Sequence, residues 1–415
     1  MGKIAVVLAV LSAVPAAAAA QDFGTEWLDR VTHLQQQERG PLKPKPVDWM
    51  AQGGLLGYLD NNVFLRDKDG RTPGDAVIIP FLRGTMDYSE QRFEADADLM
   101  VDYKGYMDLN HDPSVDFTRA RAWEERFYGH ARYVDARFTV GVDEILRHDS
   151  DASDAVFIAR VKRAVSDTVG QATYDLSRTV AAELHADYQV VRFEEQPFKT
   201  VNNDNYTVDA SLVYRQANGY DWLIQLGWRD IFYLHSQAYG APPDASGYYV
   251  HGGFRGELMQ RLWVEALLGW IGVQSDRFLG TTVHEEEHTA DVALHLRYEV
   301  TDKTTIYGDF TRTIGFSSSL DGSPFQVVNR FALIGQWDAT EQLTLRARIQ
   351  WDHVVTALNI QTEYHSFGIS ATFRVNEHVA VDAGGTYRTG LVHGNVASSL
   401  DFNDAIGHLG IIITY

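Results

Sequence analysis

The chain has 415 residues, a formal net charge of −20 and no cysteine. The acidic balance excludes nucleic acid as a partner, because phosphate binding needs a basic face, and the missing cysteine excludes disulfides, thiolate metal sites and thiol nucleophiles. Beyond residue 20 no stretch approaches the roughly 18 apolar residues of a membrane-crossing helix.

Residues 1–20 read "MGKIAVVLAVLSAVPAAAAA". Lys3, an apolar stretch and a run of alanines form the three parts of a secretory signal peptide, with cleavage expected after Ala20. Its apolar part is too short for a stable transmembrane helix. An exported, acidic, tyrosine-rich chain without cysteine suits a Gram-negative outer-membrane barrel. Residues 21–52 differ in pattern from the rest of the chain. Trp27, Val31 and Leu34 suit a short helix, and "RGPLKPKPVD" suits an extended Pro-rich linker. We expect a small periplasmic segment here.

From about residue 53 to 415 the hydropathy period is two, the period of a strand. In "RFEADADLMVDY", Phe93, Ala95, Ala97, Leu99 and Val101 alternate with Glu94, Asp96, Asp98 and Asp102. "TADVALHLRYEV" sets Ala290, Val292, Leu294, Leu296 and Tyr298 against Asp291, His295, Arg297 and Glu299. "EQLTLRARIQWD" does the same with Leu345, Ala347, Ile349 and Trp351 against Arg346, Arg348 and Asp352. Strands of this length exceed those of soluble sandwiches and match a tilted bilayer crossing. Short turns ("YSEQ", "LSRT", "ANGY", "LMQR", "TDKT", "DATE", "VNEH") alternate with longer polar loops, among them "DRFLGTTVHEEE". The expected fold is an all-β, antiparallel, up-and-down transmembrane barrel of about 18 strands, a size that leaves an aqueous lumen. Residues 152–169 are open between a strand and a helix folded into the pore or lying on its rim.

Parity places Glu94, Asp96, Asp98, Asp102, Glu183, His185, Asp187, Asp291, His295, Arg297, Glu299, Arg346, Arg348, Asp352, Asp382 and Arg388 on the lumen side. There they would either set a selective field or pair with one another. Trp222, Trp228, Trp263, Trp270, Trp337 and Trp351 are expected in the aromatic girdles at the two membrane interfaces. At the C-terminus, Leu409, Ile411, Ile413 and Tyr415 alternate up to a terminal aromatic. This resembles the signal read by the barrel assembly machinery, so that machinery and outer-membrane lipid are the expected partners.

The run "HEEEH" at 284–288 satisfies the zinc-peptidase pattern H-E-x-x-H. That chemistry needs both imidazoles one helical turn apart. On extended backbone they stand roughly 13 Å apart, so we expect an acidic loop mouth and no metal. His365 and Ser366 are adjacent, and on a strand they face opposite ways. They therefore cannot act as a base and nucleophile pair, and no G-x-S-x-G elbow is present. No enzyme and no cofactor are expected.

"GYLDNNVF" at 57–64 is similar to the opening element, Y-D-D-N-[VI]-[FY], of the beta-barrel porin 2 family. Leu59 separates Tyr58 from Asp60, and Asn61 stands where that family has a second Asp. The resemblance implies a porin-type barrel without catalytic residues. It also implies an association with exopolysaccharide export, and so export components in the periplasm. Three functions stay open: a channel for small hydrophilic solutes or an exported polysaccharide, a non-conducting barrel that binds partners, and a hydrolase at the rim. Removing Tyr415 is expected to slow barrel assembly, measured as loss of the heat-modifiable folded band on unheated gels. Assembly at the parent rate would exclude the terminal aromatic as a signal.

Overall fold

The computed structural model of the protein describes residues 45–61, 75–107, 122–149, 162–194, 198–216, 219–234, 243–278, 282–316, 325–356, 360–393 and 401–415. They form eighteen strands: β1 (Lys45–Asp60), β2 (Asp75–Ser89), β3 (Phe93–Tyr106), β4 (Ala122–Val134), β5 (Phe138–Asp149), β6 (Arg163–Asp175), β7 (Val180–Phe193), β8 (Asn203–Arg215), β9 (Tyr220–Tyr233), β10 (Ala245–Met259), β11 (Leu262–Phe278), β12 (Thr282–Thr301), β13 (Thr304–Phe316), β14 (Phe325–Asp338), β15 (Leu343–Thr356), β16 (Gln361–Arg374), β17 (Val379–His393) and β18 (Phe402–Thr414). Consecutive strands pair antiparallel, and β18 pairs with β1 from Gln52↔Thr414 to Asp60↔Ile406. The sheet is thus a closed up-and-down transmembrane barrel, and among the described residues only a 3-10 turn at Phe198–Val201 is helical.

The signal-peptide reading lies outside the described residues, as does most of the segment expected before the barrel. β1 begins at Lys45, so the end of the Pro-rich stretch is wall rather than linker. A register shift between Lys45 and Asp48 takes up Pro46, since a proline without N–H is tolerated at a strand's start. Arg163–Asp175 is strand, so the extended alternative describes 163–169; residues 152–161 lie outside the described set.

Alternation is expressed as two faces. On β18, Leu409, Ile411 and Ile413 are 61%, 51% and 54% exposed on the lipid side, while Asp404 and Ile406 are buried inside. Trp49, Trp222 and Trp337 face outward near the short-turn end, and Trp123, Trp228, Trp270 and Trp351 face outward nearer the long loops. Trp263 departs from the girdle expectation. It pairs with Arg297 and Glu257, which puts it on the lumen face. Glu144 stands on the lipid side, where its carboxylate accepts from Ser166 Oγ at 3.0 Å and Thr168 Oγ1 at 2.5 Å. A tight turn at 135–137 joins β4 to β5 at the same end as the seven turns legible in the sequence.

Among the described residues the β12–β13 ladder stops well short of the loop-side ends of its strands. β12 pairs with β13 only from Val292↔Arg312 to Thr301↔Thr304. Towards the loops, β12 continues on β11 alone, and Thr313 to Phe316 continue on β14 alone. Ile314 and Val327 stand on the face that carries Phe310 and Phe331 at the lipid lower down. Here Ile314 and Phe325 are buried against Ile231, Tyr233, Ile271 and Val273 of β9 and β11, with Val327 packed alongside. The Arg229 guanidinium of β9 donates to the Ile314 carbonyl. The loop-side end of β13–β14 is therefore tucked inside the wall, and the barrel overlaps itself there.

The "HEEEH" run lies within β12 rather than in a loop, on the flank that β13 leaves unpaired. Charged side chains on an open strand edge discourage pairing with other chains. Arginine at Leu409 on the lipid face is expected to cost about 2–4 kcal/mol. Arginine at lumen-facing Ser370 should cost much less. Urea unfolding in lipid vesicles reads the difference, and equal costs would contradict the assigned faces.

Candidate functional site

The charged positions expected to line the pore stand on the inner face: Glu94, Asp96, Asp98 and Asp102 on β3, Glu183 and Asp187 on β7, Asp291 and Arg297 on β12, Arg346 and Arg348 on β15, and Asp382 and Arg388 on β17. Several are tied to a neighbouring strand, and Arg297 and Arg348 to the next inward residue of their own strand. Arg83 Nε lies 2.9 and 3.0 Å from the two oxygens of Asp98. Glu94 meets Arg132 and lies 3.7 Å from His130, whose Nδ1 is 2.7 Å from Asp143. Asp382 accepts from Thr372 at 2.8 Å and faces His408 Nε2 at 2.8 Å. Arg388 Nε donates to Asp404 at 2.9 Å with both side chains buried. Arg297 meets Glu299 at 2.9 Å. Arg346 donates to Gln336 at 3.0 Å, and Arg348 donates to Gln350. Asp96 is placed directly opposite Asp87.

The pairing has a geometric cause. Residues directly opposite on antiparallel strands have Cβ atoms about 5 Å apart, within reach of a carboxylate and a basic side chain. Much of the inner charge therefore braces the wall.

A continuous hydrogen-bonded belt crosses β7 to β12. His251 Nε2 lies 3.0 Å from Asp291, and His251 Nδ1 lies 3.0 Å from Gln225 Oε1. Gln225 Nε2 donates to Asp209 at 2.7 Å, and His185 Nδ1 lies 2.8 Å from the other Asp209 oxygen. The Tyr249 hydroxyl donates to that same oxygen at 3.0 Å. Gly227 makes room for the tyrosine, because a Cβ there would overlap the ring at Cζ. Arg255 lies just beyond, 2.5 Å from Glu183 and 3.6 Å from Asp221.

The belt lines an internal chamber of about 580 Å³. A larger concavity of about 1330 Å³ follows the wall from β13 through β18 to the ends of β1 and β2 and is lined largely by lipid-side residues such as Ile306, Trp337, Phe367 and Tyr387. Its lining suits acyl chains, so the chamber is the candidate site for a polar solute.

Sequence reasoning named Glu183, His185 and Asp291 but missed Asp209, Gln225, Tyr249, His251 and Arg255. The signal was present: "YYVHGGFR" alternates Tyr249, His251 and Arg255 with Tyr248, Val250 and Phe254. Neither His185 nor His251 has a serine hydroxyl hydrogen-bonded to it among the described residues. Ser366 is 4% exposed on the lumen face, and the His365 side chain is 49% exposed on the lipid face. No group of three or more His, Asp or Glu among the described residues could hold a metal ion.

No family model and no curated protein matches the chain, so the resemblance at 57–64 rests on those residues alone. Among solved structures, the chain is similar to the Pseudomonas aeruginosa protein OccK1 (OpdK), with 11% identity over 89% of this chain and 99% of that one, at a TM-score of 0.49. Acinetobacter baumannii OccAB4 shows 10% identity over 91% and 100%, at 0.46. A BenF-like porin from Pseudomonas fluorescens Pf-5 shows 8% over 90% and 100%, at 0.47.

Removing one partner of a buried ion pair strands the other charge. Arg388→Ala is therefore expected to destabilise the barrel by about 3–5 kcal/mol, and adding Asp404→Ala should recover part of that loss. The measurement is the urea midpoint in vesicles, and full additivity of the two changes would argue against the pair.

Proposed function

We propose that the protein is an outer-membrane channel that passes small hydrophilic solutes by diffusion, with a preference for cations. The observation that carries this is the closed eighteen-stranded barrel whose inner wall is polar and rich in acids around an internal chamber. Barrels of 16–18 strands enclose an aqueous passage, and a carboxylate-rich wall concentrates cations and repels anions. The signal-peptide pattern at 1–20 and the alternating C-terminal strand ending in Tyr415 support export to the outer membrane and assembly there. The tucked end of β13–β14 narrows the loop-side half of the lumen, which favours small solutes over a polysaccharide chain. No covalent chemistry is part of the mechanism.

Planar-bilayer recordings test the reading. Folded protein should carry ion current, and in a salt gradient the reversal potential should show cation preference. The absence of current from correctly folded protein would sink the channel and leave the partner-binding barrel. Arg229→Ala removes the donor to Ile314 and should loosen the tucked end, raising single-channel conductance. An unchanged conductance would mean that this end does not narrow the path.

A further inference from the structure

We propose that the chamber behind the belt is a binding subsite for a small organic cation, a solute carrying an ammonium or guanidinium group. The channel reading supplies the route to this site, and the site itself stands on separate observations.

The charge of the lining comes first. Glu183, Asp209, Asp221, Glu265 and Asp291 contribute carboxylates, against the guanidinium groups of Arg229 and Arg255. Arg229 is committed to the Ile314 carbonyl, and Arg255 to Glu183 and Asp221, which leaves Asp209, Glu265 and Asp291 outside these arginine contacts. The field inside the chamber is therefore negative, and an anionic solute is repelled.

The open hydrogen-bonding positions come second. Thr311 is 5% exposed and lines the chamber, and its Oγ1 has no hydrogen-bond partner among the described residues. Buried polar groups are nearly always paired, so an unmatched hydroxyl on a residue that lines a cavity is a bonding position a ligand can take up. At the far end of the belt, His185 Nε2 is likewise buried and unmatched. In the tautomer whose Nδ1–H donates to Asp209, Nε2 keeps a lone pair as an acceptor. A hydroxyl and an imidazole lone pair among carboxylates call for a donor-rich ligand.

The aromatic surface comes third. Trp263, which faces the lumen and is 39% exposed, and Tyr249 both line the chamber. Their rings attract organic cations through the negative charge on their faces. The volume of about 580 Å³ falls in the range of sites for small molecules.

The test uses the full chain folded in detergent and titrated calorimetrically with 1,4-diaminobutane, butane-1,4-diol and succinate. The diamine should bind saturably and weaken with salt, while the diol and the dicarboxylate should not bind measurably. Asp291→Asn and Asp209→Asn should each weaken the diamine about tenfold, the loss expected for a charge-assisted hydrogen bond. These two residues hold the belt, so gel heat-modifiability must show folded barrels. Glu265→Gln, outside the belt, gives a second variant that should also weaken diamine binding. No saturable diamine binding, equal binding of the diol or succinate, or unchanged affinity in all three variants would overturn the proposal. Diamine binding without ion current would overturn the channel and leave the subsite standing. Ion current without diamine binding would overturn the subsite alone.

Discussion

The hydrocarbon layer of a bilayer offers no partner to a backbone N–H or C=O, so a sheet that crosses it must close on itself. The pairing of β18 with β1 meets that requirement. The two-faced character of each strand then has only one solution, with one set of alternate residues against lipid and the other against the lumen. Leu409, Ile411 and Ile413 take the lipid side by this rule, while Asp404 and Ile406 of the same strand take the lumen. Outward aromatics at both ends of the strands mark where the wall meets the interfaces.

The break between β12 and β13 departs from this regularity, and it lies toward the long-loop end. The freed end of β13–β14 is apolar and the flank of β12 is acidic. Packing Ile314 and Phe325 on Ile271 and Val273 removes apolar surface from water, and Arg229 takes up the Ile314 carbonyl. The open flank of β12 carries the "HEEEH" run, whose charge disfavours any added strand. The run that spells a metal site on a helix here lies on extended backbone along an open edge.

Inside, closure brings acids and bases from neighbouring strands into register. Arg83 with Asp98 and Arg388 with Asp404 are buried pairs, and their charges contribute little to the field along the pore. The chamber differs because its carboxylates outnumber its guanidinium groups and both arginines are engaged by the protein.

Fold class and strand number were legible in the sequence, because a period of two is a local property of extended backbone and the wall admits only two faces. Glu94, Asp291 and Arg346 could be placed on the lumen side from their own strands. Trp263 could not be placed by residue type, since tryptophan suits both an interface and a lumen; its pairing with Arg297 settled the matter. The belt from His185 to Asp291 was hidden for a related reason. Parity says which way a side chain points but not which residue stands beside it on the next strand. Register across turns, the tuck of β13–β14 and the chamber that results depend on contacts between residues far apart in the chain. The sequence by itself determined the barrel and its two faces. The tertiary structure alone decided which charges neutralise one another and which remain available to a solute, because Coulomb and hydrogen-bond energies depend on distance, and distance is set by the closed wall.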